Sequence, residues 1–233
     1  MSKPGAINWS SIDQFVYINL DKRPDRKAKI ERELIDIGIP RDKLQRFSAI
    51  EASPGYLGCS RSHLAILKMA REKGWRNCCI FEDDIEFMKD RLTFVKVNGF
   101  LRFLESNPWD VGLLSFNAFE VSTVRGYASI YRARRGFCAC AYIVNSSYYD
   151  TLIKNFEEGI AGLEKTNLKN VYTLDTYWQR LMVGDKWYWS YPNFGFQAED
   201  YSDIEGMKVD YRHLFYKKIG GDGGKFSTVR VVP

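Results

Sequence analysis

Cys78-Cys79-Ile80-Phe81-Glu82-Asp83-Asp84-Ile85-Glu86-Phe87 is an apolar run that drives into three consecutive acids and then turns apolar again. Its opening Cys, Ile and Phe residues predict a buried strand. Burying three carboxylates at the end of that strand is very unfavourable unless a cation meets them. Open α/β sheets place ligand sites just beyond the carboxyl ends of their strands. Carboxylate oxygens at such a place suit Mg²⁺ or Mn²⁺. The plain alternative is an acidic turn in solvent.

Working outward, Phe15-Val16-Tyr17-Ile18 predicts another strand, followed by a polar loop and a helix that Pro24 opens. Ile30, Leu34 and Ile37 share one face of that helix, and Gly38 and Pro40 end it. The loop carries Asn19, Asp21, Lys22, Arg23 and Arg26 at a strand's carboxyl end, a place suited to a nucleotide. It lacks G-x-G-x-x-G, so it is not a dinucleotide fingerprint and also reads as a polar turn. A second strand is expected over 44–50. A helix over about 60–73 follows, with Ser60 and Ser62 as N-capping material and His63 in its first turn. A histidine there reads first as a hydrogen-bonded structural residue.

Beyond the acids, a helix is expected over 90–106. Strands are expected over 110–116, 127–132 and 136–145, and a helix at 148–156. Residues 157–170 read as a polar loop able to act as a lid or a binding loop. Asp175 falls in the first turn of a helix over 174–182, where a simple cap explains it. Trp187 to Tyr191 is an aromatic strand, 197–206 a polar loop, and the glycine-rich stretch from Gly220 a flexible tail. Strands alternate with helices and no linker interrupts them, which argues for one α/β domain with a central sheet over residues 1–233.

The 233 residues are 45% hydrophobic and 27% charged, an ordinary globular composition. The net charge of +5 is spread along the chain, with Arg132-Ala133-Arg134-Arg135 as its densest cluster, too short for a nucleic-acid arm. Aromatic residues make up 15%, which suits stacking on rings or an aromatic core. The 5 cysteines show no separated C-x₂-C spacing and read as reduced thiols in a core, hence a reducing compartment. No signal-peptide stretch opens the sequence, and no run approaches the roughly 18 apolar residues of a membrane span. A cytoplasmic protein with no integral membrane segment is the expectation.

Six segments, in this order, resemble glycosyltransferase family 25, which includes bacterial lipooligosaccharide galactosyltransferases and collagen galactosyltransferases. They are Tyr17-Ile18-Asn19-Leu20-Asp21-Lys22-Arg23-Pro24-Asp25-Arg26; Phe47-Ser48-Ala49-Ile50-Glu51, where the family more usually has Asp; and Gly58-Cys59-Ser60-Arg61-Ser62-His63-Leu64. The others are Phe81-Glu82-Asp83-Asp84-Ile85, Asp175-Thr176-Tyr177-Trp178 and Ser202-Asp203-Ile204. The resemblance covers about residues 15–205 and leaves 206–233 as a C-terminal extension. It implies a GT-A fold, a Rossmann-like mixed central sheet flanked by helices. It also implies inverting, metal-dependent transfer of galactose or glucose from a UDP-sugar to a hydroxyl of a glycan or of a hydroxylysine-containing protein.

On that resemblance Asp84 is the principal Mn²⁺ (or Mg²⁺) ligand, Glu82 a second, and Gln197 a third or a contact to the diphosphate. His213 is chemically a better third ligand but lies past the matched stretch. Residues two apart in a strand share a face, so Glu82 and Asp84 are expected to reach one ion while Asp83 turns to the ribose. Asn19, Arg23 and Arg26 fall to the nucleotide, His63 to the donor's surroundings, and Asp175 to the general base. Acceptor choice is expected in residues 157–170 and in the last 25 or so. The rival readings are a nucleotide-sugar hydrolase or nucleotidyltransferase on a similar fold, a family member that binds without catalysing, and a non-catalytic nucleic-acid-binding module.

Overall fold

Phe15 and Tyr17 pack into one hydrophobic cluster, and Val16 and Ile18 into another. Cys79 and Phe81 join the first, Cys78 and Ile80 the second. Alternation along a strand puts these sets on opposite faces of one sheet, and each face is covered by helices. The computed structural model describes residues 5–202, 206–220 and 228–232.

The chain runs β1 (Gln14–Asn19), α1 (Pro24–Asp36), β2 (Leu44–Ser48), α2 (Gly55–Glu72), β3 (Asn77–Glu82), β4 (Ile85–Phe87) and α3 (Arg91–Ser106). Then come β5 (Val111–Leu113), β6 (Asn117–Val124), β7 (Tyr127–Phe137), β8 (Ala141–Asn145) and α4 (Tyr149–Thr166). The short helices α5 (Lys169–Tyr172), α6 (Leu174–Tyr177) and α7 (Gln179–Met182) lead to β9 (Trp187–Ser190) and β10 (Gly195–Gln197). β11 (Asp200–Ser202), β12 (Met207–Val209), β13 (Lys218–Ile219) and β14 (Thr228–Val232) follow.

Among the described residues, ten strands form the main sheet in the order β13-β14-β6-β7-β9-β5-β8-β3-β1-β2. β2, β1 and β3 are parallel, and β8 runs antiparallel between β3 and β5. The sheet is therefore mixed, with a parallel block whose carboxyl ends, Asn19, Ser48 and Glu82, lie side by side. On one face Ile30 and Leu34 of α1 and Phe100 and Leu104 of α3 join Phe15, Phe81 and Phe194. On the other, Ile66 and Leu67 of α2 and Leu152 and Phe156 of α4 meet Tyr142, Trp178, Trp187 and Trp189. A second two-stranded sheet, β10 against β4, carries Gln197 back over the acidic turn.

Several sequence expectations are corrected. Helix α2 starts at Gly55, so Ser60 and Ser62 are interior residues and His63 lies in the third turn. Their hydroxyls donate back to Tyr56 O (3.0 Å) and Gly58 O (2.8 Å), the alternative to capping open to a helical serine. Residues 157–166 are not a loop, because α4 continues to Thr166 with Ile160 and Leu163 buried beneath a polar outer face. Gly162 lets α4 approach Tyr172 so closely that a Cβ there would stand 2.2 Å from its ring. The strand expected over 136–145 is broken at Cys138, whose φ of +84° turns the chain between β7 and β8. Part of the stretch read as a polar loop over 197–206 forms β11, which pairs with β12 just beyond it. Residues 228–232, expected within a tail, form a strand that pairs with β6 over 228–230 and with β13 over 231–232. Asp203 and Ile204 of the last matched segment, and Gly221 to Gly224 of that tail, lie outside the described residues.

Candidate active site

β3 ends at Glu82 because Asp83 and Asp84 occupy the turn into β4. The alternation expected to pair Glu82 with Asp84 stops there, and the three acids separate. Glu82 keeps the face of Cys78 and Ile80 and points to α2. Its Oε1 lies 3.1 Å from His63 Nε2 and accepts from the Cys59 thiol at 3.6 Å. Asp83 turns to the α1 side, where Oδ1 accepts from Arg26 (3.0 Å) and Oδ2 from Asn19 Nδ2 (2.7 Å). Burial pushes the Asp83 carboxyl up, opposed by those two donors.

Asp84 is buried beneath Gln197. Its Oδ2 accepts from Gln197 Nε2 at 2.9 Å and lies 3.7 Å from the Arg26 guanidinium, while its Oδ1 is buried with no hydrogen-bond partner. Burial, reinforced by the Glu82 charge, raises its pKa to about 7. A buried carboxylate oxygen without a partner is costly, and a cation removes the cost. The partnerless Asp84 oxygen, with Gln197 beside it, therefore fits the divalent metal that the family resemblance implies.

These groups line a cleft of about 180 Å³ at the carboxyl ends of the parallel block. Asn19, Lys22, Glu51 and His63 line it as well. A second cleft adjoins it, shares Cys59, Glu82, Gln197 and Ser202, and is walled on its far side by Asp175 and Lys169. Asp175 stands in the first turn of α6, where Oδ2 accepts from the backbone N–H of Cys138 at 3.0 Å. Burial, together with the charge of Glu82, raises the Asp175 pKa, and the Cys138 N–H opposes the rise.

The structure thus brings Asn19, His63, Glu82, Asp83, Asp84 and Gln197 to one cleft and Asp175 to its neighbour. It places the two arginines differently from the sequence reading. Arg26 lines the cleft, but its guanidinium is held by Asp83, by Asp200 (3.0 Å) and by Tyr201 O (2.8 Å). Arg23 is turned onto Asp25 (2.8 Å) and toward Asp200 (3.6 Å) and is not among the residues lining the cleft. Asn19 donates to Asp83 and accepts from Arg46 at 3.1 Å, which makes it the joint between β1 and the acid turn. His213 is exposed and lines neither cleft.

Sequence reasoning named Lys22 only as part of its loop and gave no role to Tyr142 or Cys59. Lys22 presents a cation to the cleft, where its ammonium lies 3.2 Å from Glu51. Tyr142, buried on β8, sets its hydroxyl 2.8 Å from His63 Nδ1. Cys59 was legible as the residue one helical turn before His63.

Residues 48–167, about half of the chain, match the model of glycosyltransferase family 25 (LPS biosynthesis protein). The chain belongs to glycosyltransferase family 25. A "Glycosyltransferase 25 family member" of Drosophila melanogaster is 31% identical over 102 residues, covering 33% of this chain and 17% of that protein. The chain thus spans under a fifth of that relative's length. Among solved structures, the mannose-1-phosphate geranyltransferase of Thermus thermophilus aligns at TM-score 0.41 and 8% identity, over 76% of this chain and 72% of that one. The glycosyltransferase GlyE of Streptococcus pneumoniae aligns at TM-score 0.42 and 10% identity, over 76% and 44%. Likeness of that degree carries no argument about chemistry. For this family member, the mixed sheet flanked by helices is the GT-A-type, Rossmann-like architecture that the resemblance implied. No helix among the described residues is long and apolar enough to cross a membrane.

Proposed function

We propose that this member of glycosyltransferase family 25 transfers galactose or glucose from a UDP-sugar to a hydroxyl, with inversion at the anomeric carbon and with a bound divalent cation, Mn²⁺ or Mg²⁺. One observation carries the reading: two clefts meet at Glu82, one holding the partnerless Asp84 oxygen and the other holding Asp175.

A bound cation supplies Lewis-acid stabilisation of the departing UDP. Asp84 would hold it, with Glu82 and Gln197 alongside. The protein's own residues carry the rest. Lys22 faces the first cleft as a cation for a diphosphate. Asn19 and Arg26 act through Asp83, which they hold at the acid turn, and Asp83 is then placed for the ribose. His63, fixed by Tyr142, orients Glu82. In the second cleft Asp175 accepts the proton of the attacking hydroxyl. Burial raises its pKa, which brings it nearer to that of the alcohol and makes its ionised form a stronger base. The acceptor class we assign is a glycan or a hydroxylysine-containing protein, with α5 and Lys169 on the wall of the acceptor cleft.

The test is release of UDP from a panel of UDP-sugars with Mn²⁺, with and without EDTA. Metal-dependent release from one sugar is expected. Turnover that requires pyrophosphate would transfer the chain to nucleotidyl chemistry. No release, together with no thermal shift by UDP and Mn²⁺, would overturn the reading.

A further inference from the structure

Cys59 and His63 are one helical turn apart on α2, and both lean over the end of β3. Cys59 Sγ, His63 Nε2 and a Glu82 carboxylate oxygen all lie within 4.8 Å of one another. Two of the three separations are short: 3.1 Å from nitrogen to oxygen and 3.6 Å from sulfur to oxygen. A tetrahedral ion with metal–sulfur bonds of about 2.3 Å and metal–nitrogen or –oxygen bonds of about 2.0–2.1 Å holds its ligands about 3.3–3.6 Å apart. These three side chains already stand close to those edges.

We propose that Cys59, His63 and Glu82 form a binding site for one thiophilic divalent cation of the Zn²⁺ class, distinct from the oxygen-lined seat at Asp84. Thiolate and imidazole select borderline-soft ions, whereas the oxygens around Asp84 select hard ones. The support behind the imidazole has the arrangement common behind metal-bound histidines. His63 is fully buried, and its other nitrogen, Nδ1, lies 2.8 Å from the Tyr142 hydroxyl. That contact fixes the ring so that Nε2 faces Cys59 and Glu82. The fourth position opens on the cleft, since all three residues line it.

Binding replaces the hydrogen bonds inside the cluster. The Cys59 S–H bond breaks as the sulfur–metal bond forms, and solvent buffer takes the proton. The Nε2 lone pair and a Glu82 oxygen complete the protein's ligand set. Glu82 already points to α2, so an ion held here keeps it there and unavailable to the seat at Asp84. Zn²⁺ then acts against the activity that Mn²⁺ supports. The binding itself does not depend on the transferase reading.

Titrating the full chain with Co²⁺ tests the site through the thiolate-to-cobalt charge-transfer band in the near ultraviolet. One equivalent of band is expected, absent in Cys59→Ser and retained in Asp84→Asn. No band in the unaltered chain would overturn the site, as would a band that survives Cys59→Ser. Alkylation mapping of the unaltered chain needs no variant: Zn²⁺ is expected to slow iodoacetamide labelling of Cys59 at least tenfold and to leave Cys138 unprotected. Equal protection of both cysteines, or of neither, would overturn it. Failure of UDP release with the band present would sink only the transferase reading.

Discussion

The Arg26 guanidinium lies 3.0 Å from Asp83 and 3.7 Å from Asp84, and all three side chains are almost wholly buried. With Asp200 at 3.0 Å it meets three carboxylates at once. The acid turn is therefore partly neutralised by the protein itself before any ligand arrives. Removing one partner of such a cluster leaves buried charge uncompensated. Arg26→Ala is expected to lower stability by about 3–5 kcal/mol. Urea denaturation measures this, and adding Asp83→Asn in the same chain should recover part of the loss.

Asp84 gives a prediction with an unusual sign. Its pKa in the folded protein is raised to about 7 from 3.8, so the folded state holds this proton more tightly than the unfolded state. The stability linked to it is fully present below pH 3.8 and is lost as pH rises through about 7. Without metal, Asp84→Asn is therefore expected to be more stable than the native chain at pH 8, by on the order of 1 kcal/mol or more. Adding Mn²⁺ should raise the melting temperature of the native chain and not of the variant. Melting curves at pH 5 and pH 8, each with Mn²⁺ or EDTA, decide it. Equal metal shifts in both chains would remove Asp84 from the metal site.

Asp175→Asn keeps the acceptor for the Cys138 N–H and removes the base. Turnover is expected to fall by about 10²–10⁴-fold while UDP affinity stays unchanged. Burial and the Glu82 charge raise the native carboxyl. The acidic limb of the rate profile should therefore lie above the ordinary aspartate value. Near-full turnover in the variant would move the base elsewhere.

Gly58 lets α2 press against the chain that leaves β2. A Cβ there would stand 2.3 Å from Ile50 O and 3.0 Å from Ala52 N, both backbone atoms that cannot swing aside. Gly58→Ala is expected to cost about 1–3 kcal/mol by overpacking and to push α2, with Cys59 and His63, off the cleft. Thermal melting measures the first effect, and weaker binding of UDP with Mn²⁺ the second.

The parallel block was legible because each of its parts is local. Phe15 to Ile18, the Ile30–Leu34–Ile37 stripe and the run into Glu82 carry their periods within a few residues. The β6–β7 hairpin was hidden because register shifts around Glu120 break its alternation. Helix α4 was cut short because Gly159 and Gly162 look like loop residues until Tyr172 and Tyr177 are seen packed on them. Asp84 and Asp175 were legible through the resemblance. The partners that set their surroundings were not, because they lie far along the chain. Tyr142 is 79 residues from His63, and Asp200 is 174 from Arg26. Spacing in a sequence reports periodicity and cannot report such pairs.

Cys138 holds Asp175 with its amide and not with its thiol. Every amino acid except proline offers the same N–H, so the anchor of the proposed base has no side-chain identity for selection to preserve. That anchor alone asks only for a residue that accepts a positive φ, and glycine accepts one at the least cost. An alanine scan would pass over the site in silence, and only Cys138→Pro would expose it. The same holds for any ranking of residues by identity across relatives: the neighbour that steadies the base would score as unimportant.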